Sequence, residues 1–225
     1  MNLQLARGLG SMAMRAEQQL LREIVSLELP PGTRLSEQEI AERYGISRQP
    51  VREALIALAR ARLVEVLPQR GTFVLKISAQ TMREARYLRE VIEVAVARLA
   101  CVAFAPASRE QVAEALLAQR QAAERGDADA FHHCDVQFHA ALAEGAGCSL
   151  AWDLVHHLKA HLDRVCRLTL DGVSPLATLI EQHEAIIAAI DRRDADAAEA
   201  AMRLHLTEIL RALPEVEKAH PEYFK

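Results

Sequence analysis

Only three residues, Tyr44-Gly45-Ile46, separate two stretches that each carry helical signals, and this spacing restricts the fold of the N-terminal region more than any other feature. The first stretch opens on SEQE at 36 to 39. This is a capping box in which Ser36 and Glu39 can satisfy one another's backbone N–H groups, with Ile40 and Ala41 beginning the buried side. The second reads GISRQPVREAL. Ser47 is placed as its N-cap, Pro50 falls in the first turn, where its missing N–H has no intrahelical use, and Val51, Ala54, Leu55 and Leu58 line an apolar face. Two helices joined this tightly, with glycine at the bend, make a helix-turn-helix.

The flanks extend that unit. Apolar residues at Leu20, Ile24 and Leu27 predict a helix from about Met14 to Leu29, stopped by Pro30-Pro31-Gly32. After the third helix, which runs to about Ala61, LVEVL at 63 to 67 and TFVLKI at 72 to 77 read as strands around PQRG, a hairpin with Arg70 at its tip. A helix-turn-helix followed by such a wing suits duplex DNA, with the third helix in the major groove and the wing on phosphate or minor groove. Arg48 and Arg52 are like charges four residues apart at the positive end of a helix dipole, which is locally unfavourable and makes sense if an external anion sits there. Ser47 and Gln49 share that helix start, and Arg34 precedes the second helix, so all three join the candidate DNA-contacting set.

Charge divides the chain the same way. Residues 1 to 76 hold 11 Lys/Arg against 8 Asp/Glu, leaving 16 against 23 for the remainder of a chain whose net charge is −4. A basic head on an acidic body, in 225 residues of which 51% are hydrophobic, indicates two domains that each bury a core. Cys101, Cys134, Cys148 and Cys166 are widely spaced with no C-x-x-C, as reduced core residues would be. No apolar run spans a bilayer and no signal-type segment opens the chain, so a cytoplasmic protein without membrane partners is expected.

From position 80 onward the periodicity is helical throughout. Six helices are expected near 80–104, 107–125, 127–145, 149–170, 174–192 and 194–212, broken at Pro106, Gly126-Asp127, Gly145/Gly147 and Asp171-Gly172. Short turns between helices of this length favour an antiparallel bundle. Asp135 and His139 lie one turn apart on the stripe that carries Phe131, Phe138 and Leu142; His183 shares a stripe with Ile186, Ile187 and Ile190; His205 shares one with Met202 and Ile209. One histidine on an apolar stripe is more often a hydrogen-bonded core residue than a ligand. Three imidazoles and a carboxylate from three helices are harder to satisfy that way and suffice to hold a divalent metal.

The run PPGTRLSEQEIAERYGISRQPVREALIALARARLVEVLPQRGTFV resembles the N-terminal domain of the GntR family of bacterial transcription regulators. The resemblance implies that Arg34, Arg48 and Arg52 contact DNA and that Gly71 at the wing tip allows close approach to it. Arg62 departs from the pattern, which has glycine before the LV pair. The remainder resembles the FCD ligand-sensing domain of the FadR subfamily, with DVQFH at 135 to 139, EQHEAI at 181 to 186 and MRLHL at 202 to 206 matching its metal-binding motif, and six helices as in its VanR-like group. Cys148 stands where that pattern has asparagine. The resemblance implies one divalent metal per chain, zinc or nickel with manganese as a further option, on Asp135, His139, His183 and His205. It further implies a small carboxylate effector, and a homodimer on a roughly palindromic double-stranded operator. Arg89 in YLREVIE matches a pocket arginine of that domain and could instead bond Glu93; Arg164, with His157 and His161, could form a second polar wall.

The expected architecture is therefore mainly α. It comprises a tail at 1–13, a winged helix-turn-helix at 14–76, a helical metal- and effector-binding domain at 77–213 and a C-terminal tail at 214–225. The expected function is effector-controlled transcription regulation. Two alternatives are a regulator that senses the metal itself and a helical-bundle metalloenzyme with a DNA-binding head. The metalloenzyme lacks the paired inward Glu-x-x-His motifs of di-iron bundles, since Glu217 to His220 lies in the tail.

Overall fold

The structure, a computed structural model, describes residues 3–169 and 176–225, with side-chain surroundings from Met12 onward except at His157 and Thr169. It divides into two compact units, Met1–Ala79 with Glu217–Lys225, and Gln80–Val216.

The first unit contains α1 (Leu3–Val25), β1 (Arg34–Leu35), α2 (Glu37–Tyr44), α3 (Arg48–Arg60), β2 (Val64–Leu67) and β3 (Gly71–Val74). Helix α1 packs on α3, burying Leu20 and Ile24 together with Val51, Leu55 and Leu58. The strands form an antiparallel sheet of order β1-β3-β2, with Arg34 opposite Phe73 and Val64 opposite Val74. Helix α1 starts well before the expected Met14. Strand β1 was not anticipated, because two residues show no alternation and are recognised only by pairing with β3. At the bend between α2 and α3, Gly45 takes a left-handed φ of 65°, and the Ile46 N–H returns to the Ala41 carbonyl at 3.0 Å. Glycine adopts that conformation without the Cβ penalty, which is why the turn can be this short.

The same device closes α3 with the wrong residue. Arg62 holds φ 57° while the Leu63 N–H reaches the Leu58 carbonyl at 3.0 Å, so Arg62 occupies the left-handed position after the helix that glycine usually fills. Its departure from the expected glycine is thus a backbone cost as well as an added charge. Arg62→Gly is expected to stabilise the chain by about 1 kcal/mol, read as a rise in urea midpoint at unchanged slope.

The second unit is built from α4 (Ala79–Val102), α5 (Pro106–Arg125), α6 (Ala128–Gly145), α7 (Ser149–Thr169), α8 (Leu176–Asp191) and α9 (Ala195–Ala219). Among the described residues six helices are found where six were expected; the break expected at Asp171-Gly172 lies outside them. Asp127 caps α6 by accepting the Ala130 N–H at 2.9 Å, and Asp194 caps α9 by accepting that of Ala197 at 3.0 Å. Val96, Val112, Phe138, Leu142, Ile186 and Met202 are among the buried residues of a single core. All four cysteines are free thiols, and burial pushes that of Cys166 up to about 12.

Helix α9 runs through Pro214 to Ala219, past the expected end near 212, and the segment after it is not a loose tail. The Ile77 N–H bonds the Tyr223 carbonyl at 2.8 Å, the Lys225 N–H bonds the Ile77 carbonyl at 3.1 Å, and Phe224 is buried. The last residues of the chain thereby belong to the first unit.

Candidate metal centre and nucleic-acid interface

On the first unit, Arg34, Ser47, Arg48, Gln49, Arg52 and Arg70 are all exposed. Ser47 occupies the N-cap position of α3 but its side chain makes no capping bond. The residue three positions on is Pro50, which has no N–H to donate. The capping box of α2 forms on the Ser36 side, whose Oγ accepts the Glu39 N–H at 3.4 Å. Where an external anion was expected opposite Arg48 and Arg52, a carboxylate of the same chain stands. Glu37, in the first turn of α2, accepts from Arg52 Nε at 2.9 Å and Nη2 at 2.8 Å, and from Arg48 Nη2 at 3.3 Å. These hydrogen bonds, with Arg52 foremost, hold the Glu37 carboxyl below its ordinary value. Both guanidinium groups remain more than half exposed, at 61% and 53%, so the bridge is of the weak, displaceable kind and fixes the arginines at the head of α3 without neutralising them. Gly71 meets Arg34 rather than open space: a Cβ there would lie 3.2 Å from Arg34 Nε, at a φ of 107° that already disfavours side chains. The glycine lets the Arg34 guanidinium lie against the wing.

In the second unit, Asp135 and His139 from α6, His183 from α8 and His205 from α9 offer ligand atoms that all lie within 4.8 Å of one another. His139 Nε2 and His183 Nε2 each stand 3.2 Å from His205 Nε2, and Asp135 Oδ1 stands 3.4 Å from His183 Nε2 and 3.7 Å from His139 Nε2. Each ring is oriented from behind. His183 Nδ1 faces Gln119 Oε1 on α5 at 2.9 Å, His205 Nδ1 faces Gln182 Oε1 on α8 at 3.2 Å, and His139 Nδ1 faces Glu93 Oε2 on α4 at 2.5 Å. Gln182 is held in that sense because its Nε2–H donates to Glu208 at 3.2 Å. With acceptors behind them, the rings carry their protons on Nδ1 and turn Nε2 lone pairs toward one point beside a carboxylate.

Lone pairs so disposed repel one another, and a cation among them removes the repulsion. The spacing also fits. Two ligands each about 2.1 Å from one ion are separated by about 3.0 Å in octahedral and about 3.4 Å in tetrahedral geometry. Burial drives the His183 imidazole down to about 3 and lowers that of His205 well below its ordinary 6.5, so both stay neutral, as ligands must. Burial alone would raise the Asp135 carboxyl, but the Lys159 ammonium 3.0 Å away holds it well below 3.8.

The chain matches the bacterial regulatory proteins of the gntR family over residues 12–74 and the FCD domain over residues 84–208. It belongs to the GntR family. Among similar proteins, the HTH-type transcriptional repressor RspR of Escherichia coli is 42% identical over 205 residues, covering 91% of this chain and 90% of that protein. The regulator LutR of Bacillus subtilis is 30% identical over 203 residues, covering 81% and 92%. The crystal structure of a GntR regulator from Rhodococcus aligns with a TM-score of 0.72 at 27% identity over 91% of this chain and 98% of that one. The Escherichia coli McbR structure aligns with a TM-score of 0.79 at 21% identity over 93% and 98%, a likeness of fold alone. These relatives are transcription regulators, so the metalloenzyme alternative is set aside. Among the described residues no helix is long and apolar enough to cross a membrane.

Beside the four candidate ligands, this GntR-family chain has a cavity of about 80 Å³ walled by Asp135 and His205 and by Arg89, His132, Lys159 and Phe131. Arg89 bonds Glu93, its Nε donating to Oε1 at 2.6 Å, and it also lines the cavity; its buried Nη2 has no hydrogen-bond partner. Arg164 does not line this cavity; it is buried on α7, where burial lowers its pKa to about 10. The His157 side chain, expected beside it, lies outside the described residues. Lys159, His132, Gln119 and Gln182 were missed as site residues. Each is a polar residue interrupting an apolar stripe, the same signal that marked the histidines.

A pH dependence follows. His183 and His205 are neutral when folded and free to protonate when unfolded, so unfolding takes up protons below about 6.5. The metal-free protein should therefore be fully stable above that pH and lose stability as pH falls through 6.5, at up to about 1.4 kcal/mol per pH unit per histidine. Asp135 adds a further loss below its ordinary 3.8. Urea unfolding between pH 7.5 and 4 checks the sign.

Proposed function

We propose that this chain is a homodimeric, operator-binding transcription regulator whose DNA affinity is set by a small carboxylate completing the coordination of one divalent metal per chain. The observation that carries this is the convergence of three Nε2 atoms and one carboxylate oxygen, each ring held from behind, at the edge of a cationic cavity. Asp135, His139, His183 and His205 would hold the ion, and a three-nitrogen, one-oxygen set suits zinc or nickel, with manganese next. The ion would supply a Lewis-acid anchor for a carboxylate, with Arg89 placed to bond the same group.

Arg34, Ser47, Arg48, Gln49, Arg52 and Arg70 form the proposed DNA surface, with Gly71 admitting Arg34 to it. A dimer is supported by Leu88, Val91, Ala95, Leu99 and Val102, an exposed apolar stripe on α4 at three- and four-residue spacings that a second copy can cover. Effector binding would shift the population of two dimer states. Helix α9, which carries His205, is continuous with the segment paired to Ile77 in the first unit and is a covalent route for that shift. Two relatives are named repressors, which supports repression relieved by the effector. Selection of bound duplexes from a random pool tests the DNA-binding part. A two-fold symmetric consensus bound by two chains is expected, and recovery of no enriched sequence would overturn it.

A further inference from the structure

We propose that Lys159 reads a second acidic group of the effector, so that the site takes a small dicarboxylate in preference to a monocarboxylate. The inference rests on the metal site proposed above and adds a determinant outside the ligand set.

Lys159 is a lysine at 2% exposure inside a helical bundle, where an ammonium persists only if it is paired. Its Nζ stands 2.6 Å from Asp163 Oδ1 and 3.0 Å from Asp135 Oδ2. An ammonium has three donors. Two are accounted for by these carboxylates, one donor remains, and the side chain lines the cavity. Arg89, whose buried Nη2 has no hydrogen-bond partner, lines the same cavity. Two cationic side chains therefore border a space that already adjoins Asp135 and His205, one more than a single carboxylate anchored at the metal requires.

Charge counting points the same way. Among the described residues of this unit, the buried charges are Arg89, Lys159 and Arg164 against Glu93 and Asp163, and the candidate ligand Asp135 completes the balance. Glu208 on the cavity wall is paired with Arg211 at 3.2 Å, and His132 is held neutral, chiefly by Lys159 beside it. A divalent ion then leaves two positive charges uncompensated in a low-dielectric interior, and a dianion cancels them where a monoanion leaves one. Size agrees: about 80 Å³ accommodates on the order of five to eight water-sized groups, the non-hydrogen content of a three- or four-carbon diacid. The remaining wall, including Phe131, Leu162 and Leu179, is apolar and suits a short methylene link.

The test is calorimetric titration of the zinc- or nickel-loaded full chain with malonate, succinate, acetate and propionate, beside Lys159→Gln, with metal content read by elemental analysis. One of the diacids is expected to bind about ten- to a hundredfold more tightly than either monoacid, and Lys159→Gln to bring the ratio of diacid to monoacid affinity, compared at matched metal content, to within about twofold of one. Monoacids binding as tightly as both diacids in the wild type would overturn the proposal, as would a diacid preference that survives in the variant. Should Lys159→Gln fail to fold, the wild-type series decides alone. A wild-type chain that takes up no metal is recognised by its elemental content. That outcome overturns the metal-anchored reading, and this inference with it, whereas metal uptake without diacid preference overturns this inference only.

Discussion

Asp135→Ala combined with His183→Ala is expected to abolish metal retention, taking a dialysed chain from about one divalent ion to none detectable. Four-ligand sites of this kind bind with roughly 10 kcal/mol or more, so losing two ligands should weaken binding on the order of 10⁴-fold or beyond. The expectation has structural grounds beyond ligand count. The Nε2 atoms of His139 and His183 flank that of His205 at 3.2 Å each, and removing His183 leaves one such pair. Removing Asp135 also takes away the carboxylate that Lys159 holds ionised. Because Phe138 stacks on His183 at a ring separation of 4.1 Å, the variant loses packing as well, and a circular dichroism melt should accompany the elemental analysis. Retention of a full equivalent of metal by the double variant would place the ion elsewhere.

The second large effect concerns DNA. Arg48→Ala with Arg52→Ala is expected to weaken duplex binding on the order of 10²-fold or more at moderate salt and to lower the slope of log affinity against log salt by about two if both meet phosphates. Guanine contacts would instead show as relaxed sequence preference with a smaller slope change. Folding stability should change little, since both side chains are more than half exposed and their bridge to Glu37 is a surface one. Anisotropy titrations across a salt series separate these cases. Unchanged affinity would remove the head of α3 from the interface.

The two units were legible in the sequence to different depths. Helices α4 to α9 could be read because apolar periodicity and strong stops at Pro106, Gly126 and Gly145 are local signals, and the four candidate ligands could be read because their stripes pointed inward. What local signals do not contain is which polar residues meet across helices. Glu93, Gln119 and Gln182 orient the imidazoles from three different helices, and Lys159 reaches Asp135 from a fourth. None of these pairings has a sequence spacing that announces it. The same limit hid the Glu37 bridge across the helix-turn-helix and the return of Tyr223 to Lys225 onto Ile77, far apart in the chain. Ser47 shows the converse: the N-cap position was correct, but the bond was absent because Pro50 removes its donor.

The central claim is that a carboxylate at the metal site controls DNA binding. The direct measurement is anisotropy titration of a selected operator duplex with metal-loaded protein, with and without saturating dicarboxylate, in the wild type and in the Asp135→Ala/His183→Ala variant. The predicted result is a shift in Kd of about 5- to 150-fold for the wild type and none for the variant. Equal affinity with and without acid in the metal-loaded wild type, or an equal shift in the metal-free variant, would contradict it.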